Sequence, residues 1–342
     1  MNSAAKVFSR FALGVVTVLA FTQCATVDVP QTLTDETSDE ATTEETTTAR
    51  DCPAVNLTVT GFERPESVLH DTKRDVYLVS SINGGPRDVD NNGFISRLSP
   101  DGQVLDLKWI EGGVNGVTLN APKGSTIANG ILYVADIDNL RKFDARTGKP
   151  LGSIFFPVAT FLNDVASDKR GNVYVTDIGF TTVPAFGESG TDAIYKVTPK
   201  DEVSVVAKGN ALLNHPNGVA VLPNGKLQVV TYDPFKGTKE LYTIDKSGNK
   251  ADIITMPTGL LDGVVVVKGR GILVSSWVGF EDQSLGKVYL VRPNGSITEV
   301  ATGFTNYAAD IGWDAKRSRL LVPELPDPGT GGRVDIRTLN LR

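Results

Sequence analysis

Residues 214–233, "NHPNGVAVLPNGKLQVVTYD", hold two Asn-Gly pairs in different settings. Asn224-Gly225 lies between two apolar runs, where residues that tolerate positive φ close a hairpin. Asn217-Gly218 stands at the head of a strand with no turn to make, so Asn217 is there for another reason.

The second strand of this stretch, ending in polar residues, recurs along the chain as "DVYLVSS", "GILYVAD", "GNVYVTD", "KLQVVTYD", "GILVSSW" and "RLLVPE". An alternating strand closing on a tight turn follows each ("AIYKVTPKD", "ELYTIDKSG", "KVYLVRPNG"), and in five units a further strand comes next, as in "EVSVVAKG" and "SITEVATGF". The sixth unit lacks that strand, but "NLTVTGF" at residues 56–62 echoes "EVATGF" of the fifth. Units of about 40 to 50 residues with four strands each are propeller blades. The sequence therefore predicts an all-β, six-bladed β-propeller over residues 52–342, closed by an N-terminal strand that completes the last blade and leaves no open edge. Two separate β domains would leave that terminal strand unexplained.

The 342 residues suffice for one such domain or two average ones. Lys6 and Arg10 precede an apolar run from Phe11 to Phe21, too short to span a bilayer, so residues 1–23 read as an export signal. Two processing routes fit. Cleavage after Ala20 is one; the other is lipidation of Cys24 in "FTQC", which resembles a bacterial lipoprotein box loosely, with Phe21 and Gln23 where Leu and a small residue are usual. Both place the product outside the cytoplasm, in the periplasm or cell envelope. The second makes it an outer-membrane lipoprotein anchored through Cys24. If Cys24 stays a thiol, Cys52, the one other cysteine, is its available disulfide partner. Residues 24–51, rich in Thr and acids, read as a disordered tether. The whole-chain charge of −6 resides largely in that tether, which leaves a nearly neutral propeller and argues against a nucleic-acid partner.

In a propeller the first strand of each blade lines the channel and its opening residue stands at the mouth. Ten residues before Val76, Val173, Leu227, Ile272 and Leu320 stand Glu66, Asn163, Asn217, Asp262 and Asp310; a turn one residue shorter sets Lys123 at the equivalent place in the second blade. The ring reads Glu66, Lys123, Asn163, Asn217, Asp262, with Asp310 as an additional member. Converging carboxylates raise one another's pKa unless a cation sits among them. Oxygen ligands without Cys or His clusters select Ca²⁺ or Mg²⁺, and a wide, flexible ring suits Ca²⁺ better.

The spaced set Glu66 in "RPES", Asn163 in "LNDVASD", Asn217 in "HPNGVAV" and Asp262 in "LDGVVVV" resembles the calcium site of the regucalcin, gluconolactonase and luciferin-regenerating-enzyme family; diisopropyl fluorophosphatase has a similar site. The resemblance spans the whole propeller. It implies a Ca²⁺-like ion in the channel, hydrolysis of a lactone or related ester, Asp262 as both ligand and general base, Glu66 and Asn217 as ligands, and Asn163 as a ligand or a holder of water or substrate. It gives Lys123 no role. Lys123 either anchors an anionic substrate or steadies a developing oxyanion, which makes it a candidate catalytic residue, or it pairs with Glu66 and neutralises a metal-free ring. A non-catalytic propeller that binds a glycan or protein across its mouth is the alternative function.

Of the two histidines, His70 falls within a channel strand and reads as structural, and His215 stands two residues before Asn217, within reach of the mouth. The loops after the second strands are expected to surround the mouth. "IGFTTVPAFGESGTD" is the longest of them and could fold over it. Trp277 either faces a ligand or packs between blades, and Trp313 reads as core. "DVDNNGFI" (88–95) spaces Asp88, Asp90 and Asn92 like the start of an EF-hand loop, but Ser99 replaces the closing Glu, and an Asn-Gly hairpin accounts for the same residues.

Overall fold

The computed structural model describes residues 56–182, 185–282, 285–327 and 329–341. The expected export signal, the tether, Cys24 and Cys52 lie outside the described residues. No described helix is long and apolar enough to cross a membrane.

The second strands of the repeats carry the architecture. In Val76–Ser81 every residue is buried. Val76 and Leu78 face one neighbouring sheet, and Tyr77 and Val79 face the other. A strand buried on both faces reads as a continuous apolar run, which is why these strands show no period-two alternation. The outermost strands, such as Val203–Lys208, are largely exposed.

The sheets form six four-stranded antiparallel blades. The strands nearest the channel are Pro65–Asp71, Pro122–Ala128, Leu162–Ser167, Pro216–Val221, Gly259–Val267 and, in two pieces, Tyr307–Ala308 and Gly312–Asp314. The last blade is completed by Asn56–Phe62, which pairs with Gly332–Thr338 from Asn56↔Arg337 onward. Apolar clusters fill the gap between each adjacent pair of blades; one joins Tyr133 and Leu140 of the second to Val173 and Tyr195 of the third. Each fully buried side chain of this kind contributes roughly 1.5–3 kcal/mol.

Two local devices shape the channel. The pairing register shifts in the first strand of five blades, between Pro65/Ser67, Pro122/Ser125, Leu162/Val165, Pro216/Val219 and Leu261/Val264. Glu66, Lys123, Asn163, Asn217 and Asp262 each sit within that irregularity. Bulges re-aim side chains, and here they turn five side chains toward the axis. The second device is close backbone approach: a Cβ on Gly218 would lie 2.3 Å from the Asp262 carbonyl oxygen, and one on Gly124 would lie 2.6 Å from the Cα of Asp164. Asn217-Gly218 thus heads a strand because the asparagine serves the channel and the glycine lets the next blade close in. Asn224-Gly225 makes the expected hairpin turn, with Gly225 at φ +83° and its N–H donating to the Leu222 carbonyl.

The polar strand ends are anchors. Asp136 accepts the backbone N–H groups of Asn120 and Ala121. Asp177 accepts those of Thr160 and Phe161, and Glu324 those of Thr305 and Asn306. Each fixes the segment that leads into a channel strand.

Residues 88–93 form neither a helix-flanked EF-hand loop nor a tight Asn-Gly turn. They belong to the long connection between Val76–Ser81 and Phe94–Leu98, which pair antiparallel from Ser81↔Phe94. Asn91 exchanges hydrogen bonds with the second blade, its backbone N–H donating to Asn120 Oδ1 and its Oδ1 accepting from the Leu119 N–H. The Asp90 carboxylate accepts from Asn92 Nδ2, and Asp88 from the Gly85 N–H. Asn91 thus ties one blade to the next, while the side chains that suggested a calcium loop bond within their own connection.

Candidate functional site

A cavity of about 430 Å³ opens at the mouth, with Glu66, Lys123, Asn163, Asn217 and Asp262 at its polar end. The five side chains converge as expected and all are buried. The connections after the second strands form the walls: Ile82 and Pro86 from the first blade, Phe180 and Phe186 from the third, Tyr232 from the fourth and Phe280 from the fifth. The long third-blade connection forms a short ribbon in which Phe180–Thr181 pairs with Gly187–Glu188; residues 183 and 184 lie outside the described residues.

Asp262 is held on both oxygens. Trp277 Nε1 donates to Oδ2 at 2.7 Å and Asn217 Nδ2 to Oδ1 at 3.0 Å. The same amide nitrogen donates to the Leu261 carbonyl at 3.1 Å, which fixes the asparagine with its oxygen free, because a carbonyl can only accept. Burial pushes Asp262 up to about 7; Trp277 and Asn217 oppose the shift, and the nearby Asp164 adds to it. Glu66 is raised well above the usual carboxylate range by burial and by Asp262, with Lys123 acting against the rise. Burial lowers Lys123 to about 8, against the pull of Glu66 and Asp136.

Three buried oxygens of the ring, Glu66 Oε2, Asn163 Oδ1 and Asn217 Oδ1, have no hydrogen-bond partner. Unpartnered buried acceptors are rare in folded proteins and call for an explanation. Three hard oxygens beside a fourth, carboxylate member are the donor set of a Ca²⁺- or Mg²⁺-type ion, so the residues fit a divalent cation. Lys123 does not occupy that role directly. Its Nζ donates to the Ala121 carbonyl at 2.9 Å and lies 4.7 Å from the centre of the Phe161 ring, and among the described residues it makes no ion pair with Glu66.

Asp310 departs from the expected ring. It does not line the mouth cavity but a second one of about 300 Å³, formed by later residues of the channel strands together with Asp164. The reason is the broken first strand of the sixth blade: Asp310 lies between its two pieces, its N–H donates to the Glu66 carbonyl, and its carboxylate accepts from Ser67 Oγ at 2.7 Å. Burial and the neighbouring Asp164 raise it well above the usual range.

Neither histidine reaches the mouth. His215 is buried beneath Phe180, with ring centroids 4.8 Å apart. Its Nδ1 lies 2.9 Å from the Ile178 carbonyl oxygen and its Nε2 3.2 Å from Glu188. His70, Asp75 and Asp314 bring ligand-type atoms within 4.8 Å of one another, yet Arg317 already bonds both carboxylates and Lys316 bonds Asp75. That group is an ion-pair cluster and does not fit a metal.

Sequence reasoning left open whether Trp277 faces a ligand or packs. It lines the cavity, stacks on Tyr307 with centroids 4.3 Å apart and 15° between planes, and orients Asp262. Trp313 packs at the edge of the core between the fifth and sixth blades. Asp164 was missed: it accepts the Val219 N–H of the next blade at 2.6 Å, and burial raises it to about 6.

No family model matches the chain, and no curated protein matches it. Solved structures do. A gluconolactonase from Xanthomonas campestris is 18% identical, covers 84% of this chain and 90% of its own, and superposes with a TM-score of 0.59. A luciferin-regenerating enzyme is 14% identical, with coverages of 84% and 95% and a TM-score of 0.57. A calcium-binding regucalcin from Agrobacterium tumefaciens is 16% identical, with coverages of 83% and 93% and a TM-score of 0.53. What the chain shares with these three proteins at such identities is the six-bladed propeller fold.

Proposed function

We propose that the protein is an exported hydrolase that opens a lactone or related ester at the propeller mouth with the help of a Ca²⁺-like cation. The observation that carries this reading is the set of three unpartnered buried oxygens beside Asp262. The gluconolactonase and regucalcin neighbours share the fold and support the reading by analogy.

Glu66, Asn163, Asn217 and Asp262 would hold the cation, which when bound supplies Lewis-acid polarisation of the substrate carbonyl. Asp262, kept ionised by the cation, takes a proton from water as the water oxygen bonds to the carbonyl carbon, and returns it to the leaving alkoxide oxygen as the ring or ester C–O bond breaks. Trp277 and Asn217 hold the carboxylate in place during both transfers. Lys123, with its ammonium beside the ring, stabilises the developing oxyanion. The product is a hydroxy acid, or an acid and an alcohol.

The test is metal content by elemental analysis on purified protein, followed by a lactone and ester screen with Asp262→Asn as control. One divalent ion per chain and a loss of at least a hundredfold in kcat/KM in the variant are expected. Unchanged activity in Asp262→Asn would refute the mechanism. The second reading is a metal-free socket for a glycan or protein, and it rests on the charge of Lys123 acting on Glu66 without an ion pair; protein that neither holds nor responds to added Ca²⁺ would support it.

A further inference from the structure

The cavity is polar at one end and apolar elsewhere. Its walls carry Phe161, Phe180, Phe186, Tyr232, Trp277 and Phe280. The rings support one another: Phe180 meets Phe186 at 5.2 Å, and Trp277 meets Tyr232 at 5.1 Å and Phe280 at 6.2 Å. Phe186 and Phe280 are 55% and 50% exposed. Scattered exposed aromatics are ordinary, but these two line the same cavity.

Hydrogen-bonding capacity on the walls is small. Arg64 Nε and Nη1 already donate to the carbonyls of Pro326 and Gly84. Thr182 Oγ1 accepts from Arg87, which leaves the Thr182 and Tyr232 hydroxyls and the remaining Arg64 N–H groups as the few donors on an otherwise apolar wall. A polyhydroxylated lactone would lose water from several hydroxyls here without replacement partners, each at a cost. An alkyl or aryl group loses nothing on the same surface and gains the burial of its apolar area.

On the hydrolase reading above, we propose that the substrate is a lactone or ester bearing an alkyl or aryl substituent. Its apolar body lies against Phe180, Phe186, Trp277 and Phe280, and its reacting carbonyl lies over Asp262. The cavity's one polar end sets that orientation, and its volume of about 430 Å³ falls within the range of small-molecule pockets.

Two measurements on the full chain separate this inference from the hydrolase reading. The first is kcat/KM along δ-valerolactone, δ-octalactone and δ-decalactone, against glucono-δ-lactone. The second is calorimetric binding of the non-hydrolysable δ-lactams with the same chains. Both should improve roughly fourfold per added methylene, and Phe280→Ala, a change at a half-exposed position, should flatten both slopes. Lactams that bind with this slope while no lactone is opened would uphold the apolar wall and sink the hydrolase reading. Turnover of glucono-δ-lactone at least as fast as of δ-decalactone, with no chain-length slope in lactam binding, would overturn the inference and leave the hydrolase standing. Absence of binding by every lactam would also overturn it.

Discussion

Stripping divalent ions from the protein should make its stability rise on acidification. The sign follows from the channel carboxylates. Asp164 and Asp262 are raised by burial from an ordinary 3.8 to about 6 and about 7, so between those values and 3.8 the folded chain holds protons that the unfolded chain has released. Stability therefore falls as pH rises through this window. Going from pH 7.5 to 5 removes about one pH unit of the penalty at Asp164 and about two at Asp262, together roughly 4 kcal/mol at about 1.4 kcal/mol per unit. At roughly 2 °C per kcal/mol for a domain of this size, the melting temperature of chelated protein should rise by about 8 °C. His215, also raised, acts in the same direction: burial alone would lower it, and Asp192 and the Ile178 carbonyl outweigh that. Its contribution is present below about 6.5 and lost as pH rises through its folded value. The carboxylates held low, such as Asp75 and Asp233, keep their contribution throughout this window. His215 does not line the mouth cavity, so its slope persists when the ring is filled, whereas a cation keeps Glu66 and Asp262 ionised and removes theirs. Calorimetric melts at both pH values, in chelator and in millimolar Ca²⁺, read the difference. Identical pH dependence in the two series, or a chelated protein that weakens on acidification, would refute the reasoning.

Trp277→Phe keeps an aromatic ring against Tyr307 but removes the donor to Asp262. A hydrogen bond to a charged group contributes about 1.5–3 kcal/mol, so the acid limb of the kcat/KM profile should move up by about one to two pH units, and a stationary limb would show that the bond does not hold the base. Lys123→Met removes an ammonium from beside the cation and should tighten Ca²⁺ binding by about tenfold or more in calorimetry; weaker binding would mean that Lys123 organises the ring instead of opposing the ion. Gly218→Ala forces a Cβ to 2.3 Å from the Asp262 carbonyl oxygen, whereas at Gly259 the nearest atom would be 3.9 Å away. The first should cost about 1–3 kcal/mol in urea unfolding and the second less than about 0.5 kcal/mol, and equal costs would deny the close approach between blades.

The ring was legible because each of its members occupies the same offset in a repeat, so that a count along the chain stands in for a position in space. The count fails at Asp310, where the first strand of the sixth blade breaks and the backbone turns to bond Glu66 and Val68. Trp277 was visible as an aromatic residue, but its bond to Asp262 depends on how Gly259–Val267 and Gly271–Val278 pair. Asp164 stands beside Asn163 in plain view, yet its partner is the N–H of Val219 in another blade, a contact that no pattern within one repeat encodes. The acids at the strand ends did leave a signal, since polar residues close every second strand, and what was missing was the backbone they hold.

Those acids also sharpen the argument for a ligand at the mouth. Several buried carboxylates of this chain are met by protein donors: Arg317 bonds Asp314, while Asp136 and Asp177 each accept two or more backbone N–H groups from the segment above them, and such bonds recover much of what the group loses with its water. Asp164 uses the same device, from Val165 and Val219. A few residues away, Glu66, Asn163 and Asn217 present oxygens with no donor at all. Their strands are irregular where each of them sits, and glycines hold the blades close enough to keep the oxygens buried. A structural carboxylate needs none of this. On the proposed reading a cation satisfies these inward-turned acceptors, and protonation of the carboxylates is what the folded chain would fall back on if that cation were withdrawn.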